Sequence, residues 1–254
     1  MTIFPLRAIS LFFALLFALP LIGGNAVAQT AGTVPAPSSV AGVVTHLSGV
    51  LTAKSNTGTS RILAIKSEIM QGDTLITERE TYARVKFSDE GELVLRPGSQ
   101  LVVASYAYDA IAPAKDSVVL SLLKGGLRAV TGLVGKRNHD AVTINTPTAT
   151  IGIRGTNFGA LFCQNDCGGV PSADGQTPAN GLHVDVTQGA VVLVNPAGSK
   201  VFAAGDFGYV ANLNTSPTSI PPSQGVPMTM PSGISLNVHI QTIGTTKVNA
   251  CMAQ

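Results

Sequence analysis

The chain has 254 residues, 45% of them hydrophobic and only 12% charged, with 27 glycines, 15 prolines and no tryptophan. Few charges, many glycines and short apolar runs point to a β-rich globular chain of one large or two small domains. The formal net charge of +2, with no run of Lys or Arg, excludes the basic footprint of a nucleic-acid binder and a polybasic membrane anchor.

The N-terminus reads as a secretory leader. Arg7 supplies a small positive region, Ala8 to Ile22 are apolar except at Ser10 and Pro20, and Ala26-Val27-Ala28 matches the small-x-small box of a signal peptidase, with cleavage before Gln29. The apolar run of about 15 residues is shorter than the roughly 20 that span a bilayer. An uncleaved anchor is the competing reading; Pro20 and the cleavage box argue against it. No later segment is long and apolar enough to cross a membrane, and no cysteine lies near the cut. The sequence therefore predicts a periplasmic or extracellular protein, exported with a cleavable signal peptide and not inserted in a membrane after cleavage. The expected organisation is a signal peptide over 1–28, a flexible leader over 29–39, a β domain over 40–213, a Pro-rich linker or strap over 214–233, and a C-terminal strand and tail over 234–254.

Within 40–213 short strand-like runs alternate with turn chemistry. Ala83-Arg84-Val85-Lys86-Phe87 alternates apolar with charged residues, Ser88-Asp89-Glu90-Gly91 turns, Glu92-Leu93-Val94-Leu95 resumes, and Arg96-Pro97-Gly98-Ser99 turns again. The best helical candidate, Val118 to Leu123, is short and stopped by Gly125-Gly126. A segment from Gly49 through Gly58 to Gly72-Asp73 is echoed from Gly189 through Gly198 to Gly205-Asp206, with a looser copy beginning at Gly126. The expected fold class is all-β, with little or no helix apart from the signal peptide. A rolled antiparallel sheet, a β-sandwich or a β-solenoid-like arrangement would each suit the repeated units.

The three cysteines, Cys163, Cys167 and Cys251, all lie past the cleavage site. Cys163 and Cys167 have a spacing that closes a small loop, so a disulfide is the leading reading; two cysteines without a nearby histidine are half a zinc site at most. Cys251 is left over.

Catalytic chemistry finds no constellation. His46, His139, His183 and His239 show no metal-ligand spacing, and nucleophile-elbow and phosphate-loop motifs are absent. His183 and Asp185 share a strand face, where a cross-strand charge pair explains them better than acid–base work. Asp73, Asp89 and Asp206 sit at turns, where carboxylates bond local backbone N–H groups. The chain is expected to be non-enzymatic, without cofactor or metal.

The most distinctive stretch runs from Asn145 to Phe158. Pro147 biases Thr146 toward extended structure, and Gly152 and Gly155 bracket Ile153 and Arg154. Arg154 is the sole charge between Val142 and Leu161. It is expected to hold a sharp corner by bonding backbone carbonyls; the alternative is that it faces a partner. Thr146, Pro147, Gly152, Arg154, Gly155 and Thr156 are thus the candidate corner or partner-binding motif.

These residues, with Gly49-Val50, Gly72-Asp73-Thr74-Leu75, Ala83 to Asp89 and Gly126-Leu127-Arg128, resemble the FecR domain from about Gly42 to Phe158 and onward through Val210. The resemblance implies a periplasmic β-rich domain. In the name-giving members that domain hears an outer-membrane receptor and controls a sigma factor through a cytoplasmic segment and a membrane helix. Here only the leader precedes the domain, which implies the stand-alone secreted branch. The expected role is binding of an unidentified envelope protein, through strand edges and the loops around Arg154 and Cys163. A glycan-binding module is the alternative, with Tyr106 and Tyr108 on one strand face as its platform.

Overall fold

The computed structural model describes residues 39–235. The predicted signal peptide, nearly all of the leader, and the C-terminal strand and tail from residue 236 onward lie outside the described residues. The strands are β1 (Val40–Ser48), β2 (Leu51–Lys54), β3 (Ser60–Leu63), β4 (Glu68–Met70), β5 (Thr74–Thr77), β6 (Tyr82–Phe87), β7 (Glu92–Leu95) and β8 (Gln100–Ala107). They continue as β9 (Ser117–Val130), β10 (Val142–Asn145), β11 (Thr150–Cys163), β12 (Gly181–Asn195), β13 (Gly198–Ala203), β14 (Phe207–Val210) and β15 (Thr218–Ile220). Alternation decides their faces. In β6, Ala83, Val85 and Phe87 are buried while Tyr82, Arg84 and Lys86 point outward. Val118 to Leu123 lies inside β9, with Val118, Leu120 and Leu122 buried, so its period is two and not 3.6.

All strands belong to one continuous sheet. The pairing register folds that sheet into two layers. The front layer runs β4-β1-β6-β7, then the second half of β9, the second half of β11, the first half of β12, β14 and β15. The back layer runs β3-β2-β5-β8, then the first half of β9, β10, the first half of β11, the second half of β12 and β13. Inward residues of both layers form one core, including Leu51, Leu101 and Leu193 from the back and Leu93, Leu127 and Phe158 from the front. A cavity of about 40 Å³ remains between them.

β9, β11 and β12 each cross from one layer to the other. Each bends at a glycine with positive φ: Gly125 (74°), Gly155 (61°) and Gly189 (75°). An L side chain at such a corner adopts the left-handed region at a cost of about 1–2 kcal/mol. At Gly189 a Cβ would also overlap the Gly155 carbonyl, so two of the corners pack backbone to backbone.

The sheet is mixed rather than wholly antiparallel, because β10 pairs in parallel with β9. Residues 131–141 make the crossover that a parallel pair requires. They contain a five-residue helix, α1 (Leu133–Arg137), and a 3-10 turn at His139–Ala141.

The sequence echo is a structural repeat. The Gly72 and Gly205 N–H groups donate to Val103 O (2.7 Å) and Val186 O (2.8 Å). The following carboxylates, Asp73 and Asp206, accept from the N–H three residues earlier, Met70 and Ala203, both at 2.7 Å. Each aspartate thus closes the corner by which the chain leaves one layer for the other.

Residues 214–233 are a strap and not a linker. β15 adds an edge to β14, and Val226 and Met228 are buried against Leu161, Cys163 and Cys167 on the outside of the front layer. Five prolines keep the segment extended, and apolar seats on the domain hold it down. Ile234 then covers Val94.

Candidate functional site

The distinctive stretch forms a hairpin followed by a corner. Thr146 closes the turn between β10 and β11: its Oγ1 donates to Ala149 O (2.8 Å) and accepts from Ala149 N (3.1 Å). Pro147 is exposed at the turn's tip. Gly152 lies beneath Val192, where an added Cβ would come within 2.7 Å of Val192 Cγ1. At the corner two residues of β11, Gly155 and Thr156, oppose Gly189 alone, so the corner is a bulge. Thr156 clamps it to the end of β9. Its N–H donates to Thr131 Oγ1 (2.9 Å), and Thr131 N donates to Thr156 O (3.0 Å).

Arg154 does not hold this corner. It is exposed and makes no hydrogen bond or ion pair within the described residues. At the corner the Thr156 carbonyl is already taken by the Thr131 hydroxyl and N–H. Arg154 instead projects from the back layer's outer face, beside a pocket of about 110 Å³ shared with His139, Asp140, Thr143, Gly152 and Val192.

That outer face is chemically unusual. The back-layer strand segments contain no aspartate or glutamate. Their outward positions are mostly Val, Ile, Thr and Ser, including Ile76, Val102, Val119, Thr143 and Val192. At the two edges Ile62 is 78% exposed and Val201 56% exposed, so neither edge is capped by other described parts of the chain. This face thus has no acidic residue in its strands, and no other described part of the chain pairs with the outer edges of β3 and β13.

The front layer differs. Arg128 on β9 reaches across Gly159 on β11 to Asp185 on β12, with N–O 3.1 Å, and both side chains are nearly buried. The same guanidinium donates to Met228 O in the strap (3.0 Å) and to the Thr187 hydroxyl. A Cβ at Gly159 would overlap the Asp185 carboxylate and the Met228 side chain. Glycine is required there because an ion pair and a strap pass directly over the backbone. Arg96 makes the neighbouring clamp, donating to Thr229 O at 2.6 Å. The Cys163–Cys167 disulfide forms part of the floor beneath the strap.

The family model described as FecR protein matches residues 73–192. This stretch is a FecR domain. It runs from the Asp73 corner to Val192 on the back face and includes the Arg154 corner and the Arg128–Asp185 pair. Among curated proteins none matches. Similar solved structures include two of a candidate anti-sigma factor from Parabacteroides distasonis ATCC 8503, each 13% identical, covering 58% of this chain and 58% of that one, with a TM-score of 0.42. The chain thus spans just over half the length of that relative. Another is described as a cell surface anchoring domain, 27% identical over 24% of this chain and 82% of that one, with a TM-score of 0.24.

Several titratable groups within and around the FecR domain have structural partners. Asp89 is buried and accepts from Tyr106 Oη (3.1 Å), Gly91 N (3.2 Å) and Val134 N (3.2 Å), so it ties α1 to the β6–β7 turn. Burial beside this carboxylate pushes the Tyr106 hydroxyl far above its ordinary pKa. Tyr106 is therefore a core residue and cannot serve as half of an exposed aromatic platform; the glycan reading loses the pair it rested on. Tyr108 stacks under Arg137. His183 is buried, with Nε2 2.8 Å from Ala179 O and its ring against Tyr209. Burial lowers its pKa and the Ala179 carbonyl partly offsets this, so the neutral Nε2–H tautomer fits the site. Asp185 pairs with Arg128 and not with His183. Among the described residues no group of His, Cys, Asp or Glu has the geometry to hold a metal ion.

Sequence reasoning missed Arg128, Asp185 and Gly159 as one unit because they lie on three strands. The available signal was an Arg, a Gly and an Asp each placed mid-strand without a local turn to explain them.

Proposed function

We propose that this protein is an exported, non-catalytic FecR module that captures a protein partner at the cell envelope, using the outer face of its back layer with Arg154 at the rim. The FecR match supports a role in envelope signalling. The leader-like N-terminus supports export. The observation that carries the reading is the back face: nine strand segments without an acidic residue, beside an exposed arginine that has no partner among the described residues. Such a face suits a partner with an apolar strip and acidic groups at one end. The apolar strip supplies affinity, and the charge pair supplies orientation.

The test is crosslinking in intact cells with Val201→Lys and Arg154→Glu variants. Both positions are exposed, so export and thermal stability should stay within experimental scatter of wild type. Partner crosslinks should fall at least tenfold in the double variant. Undiminished crosslinking would refute the assignment of this face.

A further inference from the structure

At the end of the sandwich marked by the Gly125 corner, between the 166–170 loop and the turns at 79–82 and 96–98, lies a groove of about 480 Å³ that shares no residue with the pocket at Arg154. Arg79, Tyr82, Arg96 and Lys124 line it together with Glu80 and Asp166, which leaves the basic side chains one in excess. Lys124 is neutralised by Asp166 at 3.3 Å. Arg96 is different. It is only 9% exposed, yet no carboxylate among the described residues lies within ion-pair distance of it. One guanidinium nitrogen donates to Thr229 O and the plane rests 5.8 Å from the Tyr82 ring centre, but Nε is buried without a partner.

A buried cation without an anion is costly, and proteins pair such charges. The nearby Arg128, buried to a similar degree, has Asp185. The rest of the chain offers Arg96 no acidic side chain, because all 14 Asp and Glu residues lie between Glu68 and Asp206 and none lies in the segments outside the described residues. A guanidinium short of an anion favours a carboxylate, which it binds by charge-assisted hydrogen bonds. Arg79, also without an ion-pair partner among the described residues, adds a second positive charge to the groove. The volume accommodates a molecule of roughly a dozen heavy atoms, by comparison with about 30 Å³ for each water.

We propose that this groove binds a small carboxylate-bearing ligand, with the Arg96 guanidinium as its anchor and Arg79 as a supporting charge. The ligand completes the ion pair that the folded chain leaves open. Its source is distinct from the protein partner of the back face, and the groove shares no lining residue with the pocket at Arg154.

The experiment is calorimetric titration of the purified protein at low ionic strength with D-glucuronate, D-glucose and inorganic phosphate. Glucuronate carries a carboxylate on a ring that glucose matches without charge, and phosphate is an anion without the ring or the planar fork. Saturable binding of glucuronate, absent for glucose and at least tenfold weaker for phosphate, is expected. Arg96→Met should abolish it, and Arg79→Gln should weaken it about threefold while leaving the melting temperature unchanged. Because Arg96 also holds the strap, Arg79→Gln is the variant that keeps the test valid should Arg96→Met fold poorly. No binding of glucuronate, equal binding of glucose or phosphate, or unaltered affinity in Arg79→Gln would each overturn the proposal.

Discussion

Replacing Gly159 with alanine probes whether the Arg128–Asp185 pair and the strap are seated as described. The new methyl would occupy space held by the Asp185 carboxylate and the Met228 side chain, so one of them must leave. If Asp185 moves, a nearly buried ion pair breaks. Loss of one partner of a fully buried pair costs about 3–5 kcal/mol, and the residual exposure of these two side chains, 12% and 11%, brings that to the low end. If the strap lifts, Met228 and Val226 return to water at about 1.5–3 kcal/mol each, with two arginine-to-carbonyl bonds lost besides. The cheaper route prevails, so Gly159→Ala should destabilise the domain by about 3 kcal/mol. In urea that shifts the midpoint down by about 1–2 M for an m-value of ~2–3 kcal/mol per M. Gly155→Ala is the control: it shares the sheet but has open space around its Cβ, so only its positive φ is penalised, by about 1–2 kcal/mol. Equilibrium urea unfolding, with limited proteolysis of residues 214–235 under native conditions, separates the two. A Gly159→Ala protein within 0.5 kcal/mol of wild type, its strap still protected, would refute the packing argument.

Two further outcomes follow from the same geometry. Replacing Cys163 and Cys167 by serine opens a loop with a sequence separation of 4, which should lower stability by about 2 kcal/mol from chain entropy, measured by denaturation with and without reductant. His183, held neutral by burial, has a folded pKa below its ordinary 6.5, so its contribution is whole above that value and is lost as pH falls from there toward the folded pKa. The melting temperature should drop more steeply between pH 7.5 and 5.5 in wild type than in His183→Gln; parallel curves would show that His183 does not titrate in that window.

Much of the fold was readable because its rules are local. Period-two alternation in Ala83 to Phe87, turn chemistry at Asp89 and Gly98, and the Gly-Asp corners at 72–73 and 205–206 each act within a few residues. The Cys163–Cys167 bridge is equally local. What escaped depends on distance along the chain. Arg128 meets Asp185 across 57 residues and Met228 across 100, and no spacing rule connects them. The parallel β9–β10 pair needs the crossover through α1, whose five residues are too few to show a helical period. Arg154 and Tyr106 were misjudged for one reason: a polar side chain's exposure is set by neighbouring strands. Tyr106 found Asp89 inside the core, while the Thr156 carbonyl near Arg154 is bonded by Thr131.

Strands that belong to two layers at once also govern how the molecule yields. β9, β11 and β12 give the front and back halves shared covalent backbones, so neither half can peel away while the other stays intact. A load on the proposed partner face would run along these continuous strands toward the seat of the strap.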